Sequence, residues 1–223
     1  MGAVVDAIES GGWSETARDL DRRLSSGEKL APAAEAMDLD RLHLFGALAV
    51  LGLLDNGPGL KQAKPQRAWL KDAFSDETLA TYWPATPRPE RLALAAGLWQ
   101  IHDFWNLSHE AAQEADDLGE RHTSLYWHGI AHRREPDPGN ASYWFRRVGR
   151  HEVFTDLAET ASAWVLDAGP SWGSRVLKNG SWDPFVFVEM CTQTRSGSTD
   201  EALIRRIQAR EMALLLDASL DRC

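Results

Sequence analysis

The sequence predicts an all-α protein that forms a single compact domain of several helices. Apolar residues recur at the three- and four-residue spacing of amphipathic helices along most of the chain, whereas strict alternation is scarce. The chain has 223 residues, of which 43% are hydrophobic and 26% are charged. This is the composition of a globular protein with one substantial core, so we expect one helical domain over residues 1–223.

Helix-boundary signals organise the first half of the chain. Ser14 is a typical N-cap residue and predicts a first clear helix that ends at about Leu24. One or two helices are expected from Leu30 to Leu54, before the Asn-Gly-Pro-Gly stop at residues 56–59. Residues 59–89 contain four prolines and are predicted to be irregular, although their aromatic residues and leucines indicate packing on the core.

The second half is predicted to start with one uninterrupted helix from Glu90 to about Ala115. A further helix is expected from about Arg121 to Arg133. Asn140 is the expected cap of a short helix that Gly149 ends.

Three more elements complete the predicted fold. A helix from about Val153 to Ala168 is followed by a loop rich in glycine, serine and proline. Pro184 after Asp183 predicts the start of an apolar helix that runs through Met190. The final helix is expected to begin at Ser198 or Thr199.

Three histidines form the candidate metal and catalytic set. His128 and His132 are four residues apart, which places both imidazoles on one side of a helix, and His109 of the long helix could join them. Three neutral imidazoles with an open fourth position are the ligand set of a catalytic zinc or similar divalent ion. Glu135 could assist as a ligand, as a partner of a ligand or as a general base. The pattern is not the metalloprotease motif, because Gly129 stands where that motif has glutamate.

A second set of side chains is predicted to bind substrate. The set comprises His102, Asn106, Gln113, Arg133, Arg134, Trp127 and Tyr143. The first three share one edge of the predicted long helix with His109. The two arginines could hold a carboxylate or phosphate, and the two aromatic residues could line an apolar wall.

The same residues also allow structural or metal-free interpretations. The histidines could form a structural network, for example with His128 stacked on Tyr143, or one of them could act as a general base without metal. The arginines could pair with Glu135 or Asp137. The sequence therefore leaves two functions open. One is a metal-assisted, hydrolase-type enzyme acting on an anionic or polar substrate; the other is a non-catalytic helical protein that binds a partner or a second copy of itself.

Composition and sequence patterns indicate which classes of partner are not expected. The net charge of −9 argues against broad nucleic-acid binding. The chain has two cysteines, too few for a disulfide framework. No signal peptide is recognisable, and the longest apolar run is too short to span a membrane. We expect a cytoplasmic protein that does not bind membranes, with a homo-oligomer as an open alternative.

The block YWHGIAHRREPD at residues 126–137, followed by NASYWFRRVG at residues 140–149, carries a resemblance. It resembles an uncharacterised protein family that shares a "WHxIxHRREPD, NAxYWFRRVG" block. The resemblance implies no particular activity.

Overall fold

A computed structural model of the chain describes residues 2–168, 176–177 and 180–223, and this part of the chain contains no β-strand. The helices in chain order are α1 (Ala3–Ser10), α2 (Ser14–Ser25), α3 (Leu30–Ala36), α4 (Arg41–Leu53), α5 (Asp76–Tyr82), α6 (Arg88–Ile101), α7 (Trp105–Asp117), α8 (Ser124–Arg134), α9 (Pro138–Val148), α10 (Val153–Ala168), α11 (Pro184–Gln193) and α12 (Thr199–Leu220). They pack as one all-α domain, which confirms the predicted fold class.

Several predicted boundaries are confirmed by their caps. The Asp183 side chain accepts the Phe185 and Val186 N–H groups at the start of α11, and Ser198 caps α12 in the same way. Gly149 ends α9 with a φ of 65°, a left-handed conformation that suits glycine. Asn140 is not the cap of α9, however. Asp137 holds that position and accepts the Asn140 N–H, so α9 starts one turn earlier than predicted.

The prediction of one uninterrupted helix from Glu90 to Ala115 is wrong. The helix breaks between Ile101 and Trp105, where Asp103 adopts a φ of 65°. The Arg134 guanidinium donates hydrogen bonds to the Asp103 carboxylate and to the Gln100 carbonyl, so a residue of α8 occupies the break. The consequence is that α7 leaves α6 at a new angle, and residues before and after the break do not share one face.

The irregular segment before α6 packs on the core, as predicted. It contains two single helical turns, at Ala68–Leu70 and Asp72–Phe74, and then α5. Leu70, Phe74 and Trp83 are almost fully buried. The segment therefore belongs to the domain. Most of the predicted glycine-rich loop between α10 and α11 lies at residues 169–175 and 178–179, outside the described residues.

Helix α8 carries most of the candidate site residues and is surrounded by other helices. It packs against α6, α7, α9 and α11, and every residue from Ser124 to Arg134 is buried. Consecutive residues of one helix point in directions about 100° apart. The polar residues of α8 therefore reach different neighbours. None of the described helices combines the length and the apolar character needed to cross a bilayer.

Candidate metal centre

Three imidazole nitrogens converge between α7 and α8. His109 Nε2 lies 3.0 Å from His128 Nε2 and 3.3 Å from His132 Nε2. Each of the three residues offers a nitrogen within 4.8 Å of the other two, so that one ion could contact all three. The sequence-based expectation that these three histidines lie together is met by the geometry.

Aromatic contacts fix the orientation of the three rings. Trp105, one turn before His109 on α7, stacks on the His109 ring with centroids 5.1 Å apart. The Trp105 indole N–H also donates to the Ala131 carbonyl at 2.8 Å, which ties α7 to α8 beside the cluster. Trp144 of α9 stacks on the ring of His128 of α8, with centroids 3.7 Å apart.

Gly129 allows α9 to approach the cluster closely. A Cβ atom added at this position would lie 3.1 Å from the Phe145 ring, which is tighter than ordinary van der Waals contact. The residue that replaces the glutamate of the metalloprotease motif is thus needed for helix packing. Close packing in turn brings Trp144 against His128.

Hydrogen bonds among the three histidines do not use all of their Nε2 lone pairs at once. His132 Nδ1 lies 2.8 Å from the Glu135 carboxylate, which only accepts, so His132 donates from Nδ1 and its Nε2 is an acceptor, which the Asn140 amide can reach at 3.1 Å. A neutral imidazole carries one N–H, so His109 Nε2 can direct a proton at only one of its two neighbours. His128 Nδ1 is buried and has no hydrogen-bond partner among the described residues. A cation at the centre, by contrast, would accept all three lone pairs.

The separations agree with metal coordination. Zn–N bonds of about 2.0–2.1 Å in a tetrahedral site place two ligand nitrogens about 3.3–3.4 Å apart. The separations of 3.0 and 3.3 Å are close to that value. Glu135 on His132 Nδ1 adds the carboxylate–histidine pairing that commonly orients a metal ligand.

Burial keeps two of the cluster imidazoles neutral. It lowers the pKa of His128 to about 3, with further contributions from His109, His132 and Arg147. It also lowers the pKa of His109, and the nearby His132 acts in the same direction. Neutral imidazole is the form that binds metal, so these nitrogens are available as ligands at neutral pH.

One side of the cluster is open to solvent. His132 is buried, His109 is half-buried and the Glu135 side chain is 37% exposed. The Asn140 amide nitrogen lies 3.1 Å from His132 Nε2 and borders this open side. His132, Glu135 and Asp137 also form a second group of closely spaced ligand atoms there. A fourth metal position would therefore be reached from the surface near Glu135 and Asn140.

The break between α6 and α7 separates the rest of the predicted polar row from the cluster. His102 Nε2 donates to the Leu48 carbonyl, and its ring stacks on Phe74, so it lies against α4 and the segment before α5. Asn106 is exposed, and Gln113 donates to Asp117 on its own helix. The expectation that His102 borders the same site is thus corrected, because α6 and α7 are separate helices.

Arg133 and Arg134 also point away from the histidines. Arg133 is 1% exposed and makes a fully buried ion pair with Glu211 of α12. Arg134 is fully buried and bonds the carbonyls of Gln100 and Gly59 as well as Asp103. The expectation that they hold a substrate anion is corrected, since protein groups of other helices and loops already bind them. The plainer expectation of pairing with Glu135 or Asp137 is wrong as well.

The two aromatic residues predicted to line the site have different surroundings. Trp127 is fully buried, and its indole N–H donates to Ser219 of α12 at 3.2 Å. Tyr143 is 49% exposed and packs edge-on against Trp144. The ring that stacks on His128 is therefore Trp144, one residue after the predicted one. Trp105 and Trp144 belong to the aromatic residues that flank the polar rows in the sequence, but the predicted substrate-binding set included only Trp127 and Tyr143; the position of Trp105 one turn before His109 indicates its contact.

The larger cavities of the described residues lie elsewhere. Four of them have volumes of about 450 to 760 Å³, and none is lined by His109, His128 or His132. The cluster therefore lies between helices and not on the floor of one of these four cavities.

Comparisons of the chain with protein-family models, with curated proteins and with solved structures find no match. The functional argument therefore rests on the geometry of the cluster.

Proposed function

We propose that His109, His128 and His132 bind one divalent metal ion, with zinc as the best fit, and that the protein is a metal-assisted hydrolase. The observation that carries the proposal is the convergence of three Nε2 atoms with separations of 3.0 and 3.3 Å around His109. Three protein ligands leave a position for water, which distinguishes catalytic from structural zinc sites.

The roles of the surrounding residues follow from their contacts. Glu135 fixes the tautomer and orientation of His132 through Nδ1 and increases its basicity as a ligand. A bound metal would lower the pKa of its water and supply a nucleophile at neutral pH. Asn140, at the open side, would be the hydrogen-bonding group nearest to an arriving substrate.

The substrate is proposed to be small and polar or anionic. It must approach from the surface, where His109 and Glu135 are partly exposed, because the imidazole of His128 is buried beneath Trp144. Arg147 lies with its guanidinium 4.6 Å from the centre of the Trp144 ring and is close enough to influence the pKa of His128. Its positive charge favours an anionic group at this edge, although Asp116 already pairs with it.

The first experiment measures metal binding directly. Untagged wild-type protein is stripped with a chelator, titrated with zinc by calorimetry and analysed by elemental mass spectrometry. His109→Ala, His128→Ala and His132→Ala should each lose the one-to-one binding seen in the wild type. His43→Ala is the matched control, because His43 is exposed and contacts only Asp40 and the edge of Trp13.

The outcomes separate the two parts of the proposal. Wild-type protein that folds but binds no divalent metal would overturn the metal centre and favour a structural histidine network in a non-catalytic protein. Stoichiometric binding without any chelator-sensitive cleavage across ester, amide and phosphoester substrates would keep the metal centre and overturn the hydrolase assignment.

A further inference from the structure

A second site lies in a cavity of about 550 Å³ that is separate from the three histidines. Its wall combines the end of α4 and the turn that follows, the segment before α5, and the break between α6 and α7. Three arginines from three distant parts of the chain border it, namely Arg18 of α2, Arg67 and Arg205 of α12. The volume is that of an ordinary small-molecule site.

The charges around this cavity are not internally balanced by ion pairs. Arg67 contacts the Asp21 carboxylate at 3.3 Å. Arg18 and Arg205 have no carboxylate partner among the described residues, and Arg205 uses one amino group to bond the Gly57 carbonyl at 2.6 Å. Two guanidinium groups therefore retain donors that an anion could engage.

The acidic side chains on the wall do not remove this excess of free donors. Asp103 lines the cavity but is bound by Arg134, and Asp21 is bound by Arg67. Asp55 is exposed and makes no ion pair with a described residue. One unpaired carboxylate thus faces two arginines without a carboxylate partner.

Strained backbone forms one side of the cavity. Asp55, Asn56 and Gly57 are consecutive residues with φ values of 55°, 68° and 66°. Left-handed conformations are costly for residues other than glycine, and they persist where surrounding contacts impose them, often at ligand sites. Here Arg205 holds the turn through the Gly57 carbonyl, so the same side chain fixes the turn and borders the cavity.

His102 adds an uncharged imidazole ring to the inner wall. Its Nε2 proton is donated to the Leu48 carbonyl, so its Nδ1 carries a lone pair, and this atom has no hydrogen-bond partner among the described residues. Burial lowers the pKa of His102 to about 4, and the charge of Arg67 acts in the same direction. The ring therefore remains uncharged at neutral pH.

We propose that this cavity binds a small organic anion, with a carboxylate or phosphate group held between Arg18 and Arg205 and the uncharged His102 ring on the inner wall. Arginine binds both kinds of oxyanion through paired N–H donors, so the shared chemistry is a planar or tetrahedral oxyanion. The site is independent of the proposed metal centre, because none of the three metal-ligating histidines contributes to its wall.

The test uses chelator-treated full-length protein and three probes: inorganic phosphate, glycerol 3-phosphate and citrate. Calorimetry gives Kd, and thermal unfolding gives the shift in Tm. We expect at least one probe to raise Tm by about 5–10 °C at a concentration about 100-fold above its Kd. Comparing the phosphate probes with citrate shows which oxyanion the cavity prefers.

The variants localise the effect. Arg18→Gln should weaken binding about tenfold or more without loss of stability, because Arg18 is exposed and has no partner to lose. Arg205→Gln should weaken binding by a similar factor. Arg22→Gln is the matched control on the same helix, since Arg22 is exposed and pairs only with Asp19.

Two results would overturn the inference. One is the absence of a Tm shift with all three probes, measured against sodium chloride at equal ionic strength. The other is unchanged affinity in both Arg18→Gln and Arg205→Gln. His128→Ala should bind the anion as the wild type does, so this result does not depend on whether the metal centre exists.

Discussion

Helix α8 has two opposite polar faces whose side chains meet different environments. The arginine face, consisting of Tyr126, Trp127, Arg133 and Arg134, turns toward α6, α12 and the loop that follows residue 58. The histidine face, consisting of His128 and His132, turns toward α7 and α9. On the arginine face, Glu211 accepts from both Tyr126 and Arg133 at 3.0 Å. On the histidine face, His128 Nε2 and His132 Nε2 lie 3.0 Å and 3.3 Å from His109 Nε2 of α7.

The difference shows how a structural polar network can be distinguished from a candidate binding site on the same helix. On the arginine face, each buried charge meets an opposite charge or a carbonyl, which is the usual fate of buried polar groups. On the histidine face, His109, His128 and His132 bring ring nitrogens together around one point, and this is the arrangement for which we propose a bound cation.

The largest expected effect concerns the arginine face. Glu211→Gln leaves the Arg133 charge buried without its counterion, so the free energy of unfolding should fall by about 3–5 kcal/mol. Urea denaturation measures this change. The double variant Arg133→Met/Glu211→Leu should recover much of the loss, because it removes both charges. A single variant as stable as the wild type would mean that this face is not held by its ion pair.

The next effect concerns the histidine face and has the opposite sign. Zinc at about 100 times its Kd should raise the free energy of unfolding by about 2.7 kcal/mol, because it binds the folded state. His132→Ala should abolish the increase, whereas His43→Ala should keep it. Equal stabilisation of wild type and His132→Ala would place the metal elsewhere on the chain.

The contribution of Glu135 is expected to be smaller. Removing a carboxylate that orients a metal-binding histidine typically weakens metal affinity about 10–100-fold. Glu135→Ala should do so while the fold is retained, since this side chain is partly exposed. Competition with a chromophoric chelator measures the affinity. Glu77→Ala, an exposed glutamate on α5, is the control and should match the wild type.

The pH dependence of the metal-free protein gives the most gradual effect. Burial lowers the pKa of His102 to about 4, of His128 to about 3 and of His151 to about 4. Below pH 6.5 the unfolded chain binds protons that the folded protein does not, so stability falls as the pH drops from 6.5 toward 4. Each such histidine contributes a slope of up to about 1.4 kcal/mol per pH unit.

Urea titrations between pH 7 and pH 5, in the presence of a chelator, measure this slope. His128→Asn should reduce it, because one of the lowered histidine pKa values is lost. A stability independent of pH over this range would show that the histidines are not buried in neutral form.

Local sequence signals predicted the fold class and the proximity of the three histidines. Cap residues such as Ser198 and Asp183 act on the next few amides, so their effect is readable from the sequence. The pairing of His128 with His132 follows from helical spacing alone. The convergence with His109 was expected from a polar row on the preceding helix, and the geometry agrees for that one member of the row.

What the sequence did not predict depends on partners that are distant along the chain. The break at Asp103 is stabilised by Arg134, and the partner of Arg133 is Glu211. Neither contact has a local signal. For the same reason, His102 was grouped with His109, although the break turns it toward Leu48. Whether Tyr143 or Trp144 faces His128 depends on the rotation of α9 about its axis, which is set by packing against α8 and not by a local signal.

The spacing along the chain of the three histidines proposed as metal ligands has a consequence for the order of folding during synthesis. All three lie within residues 109–132, on the hairpin formed by α7 and α8. Closing so short a loop costs little conformational entropy. Arg133, one residue later, must wait for Glu211 of the final helix. A chain emerging from the ribosome would therefore present its histidines to a metal ion before the opposite face of the same helix has met its counterion.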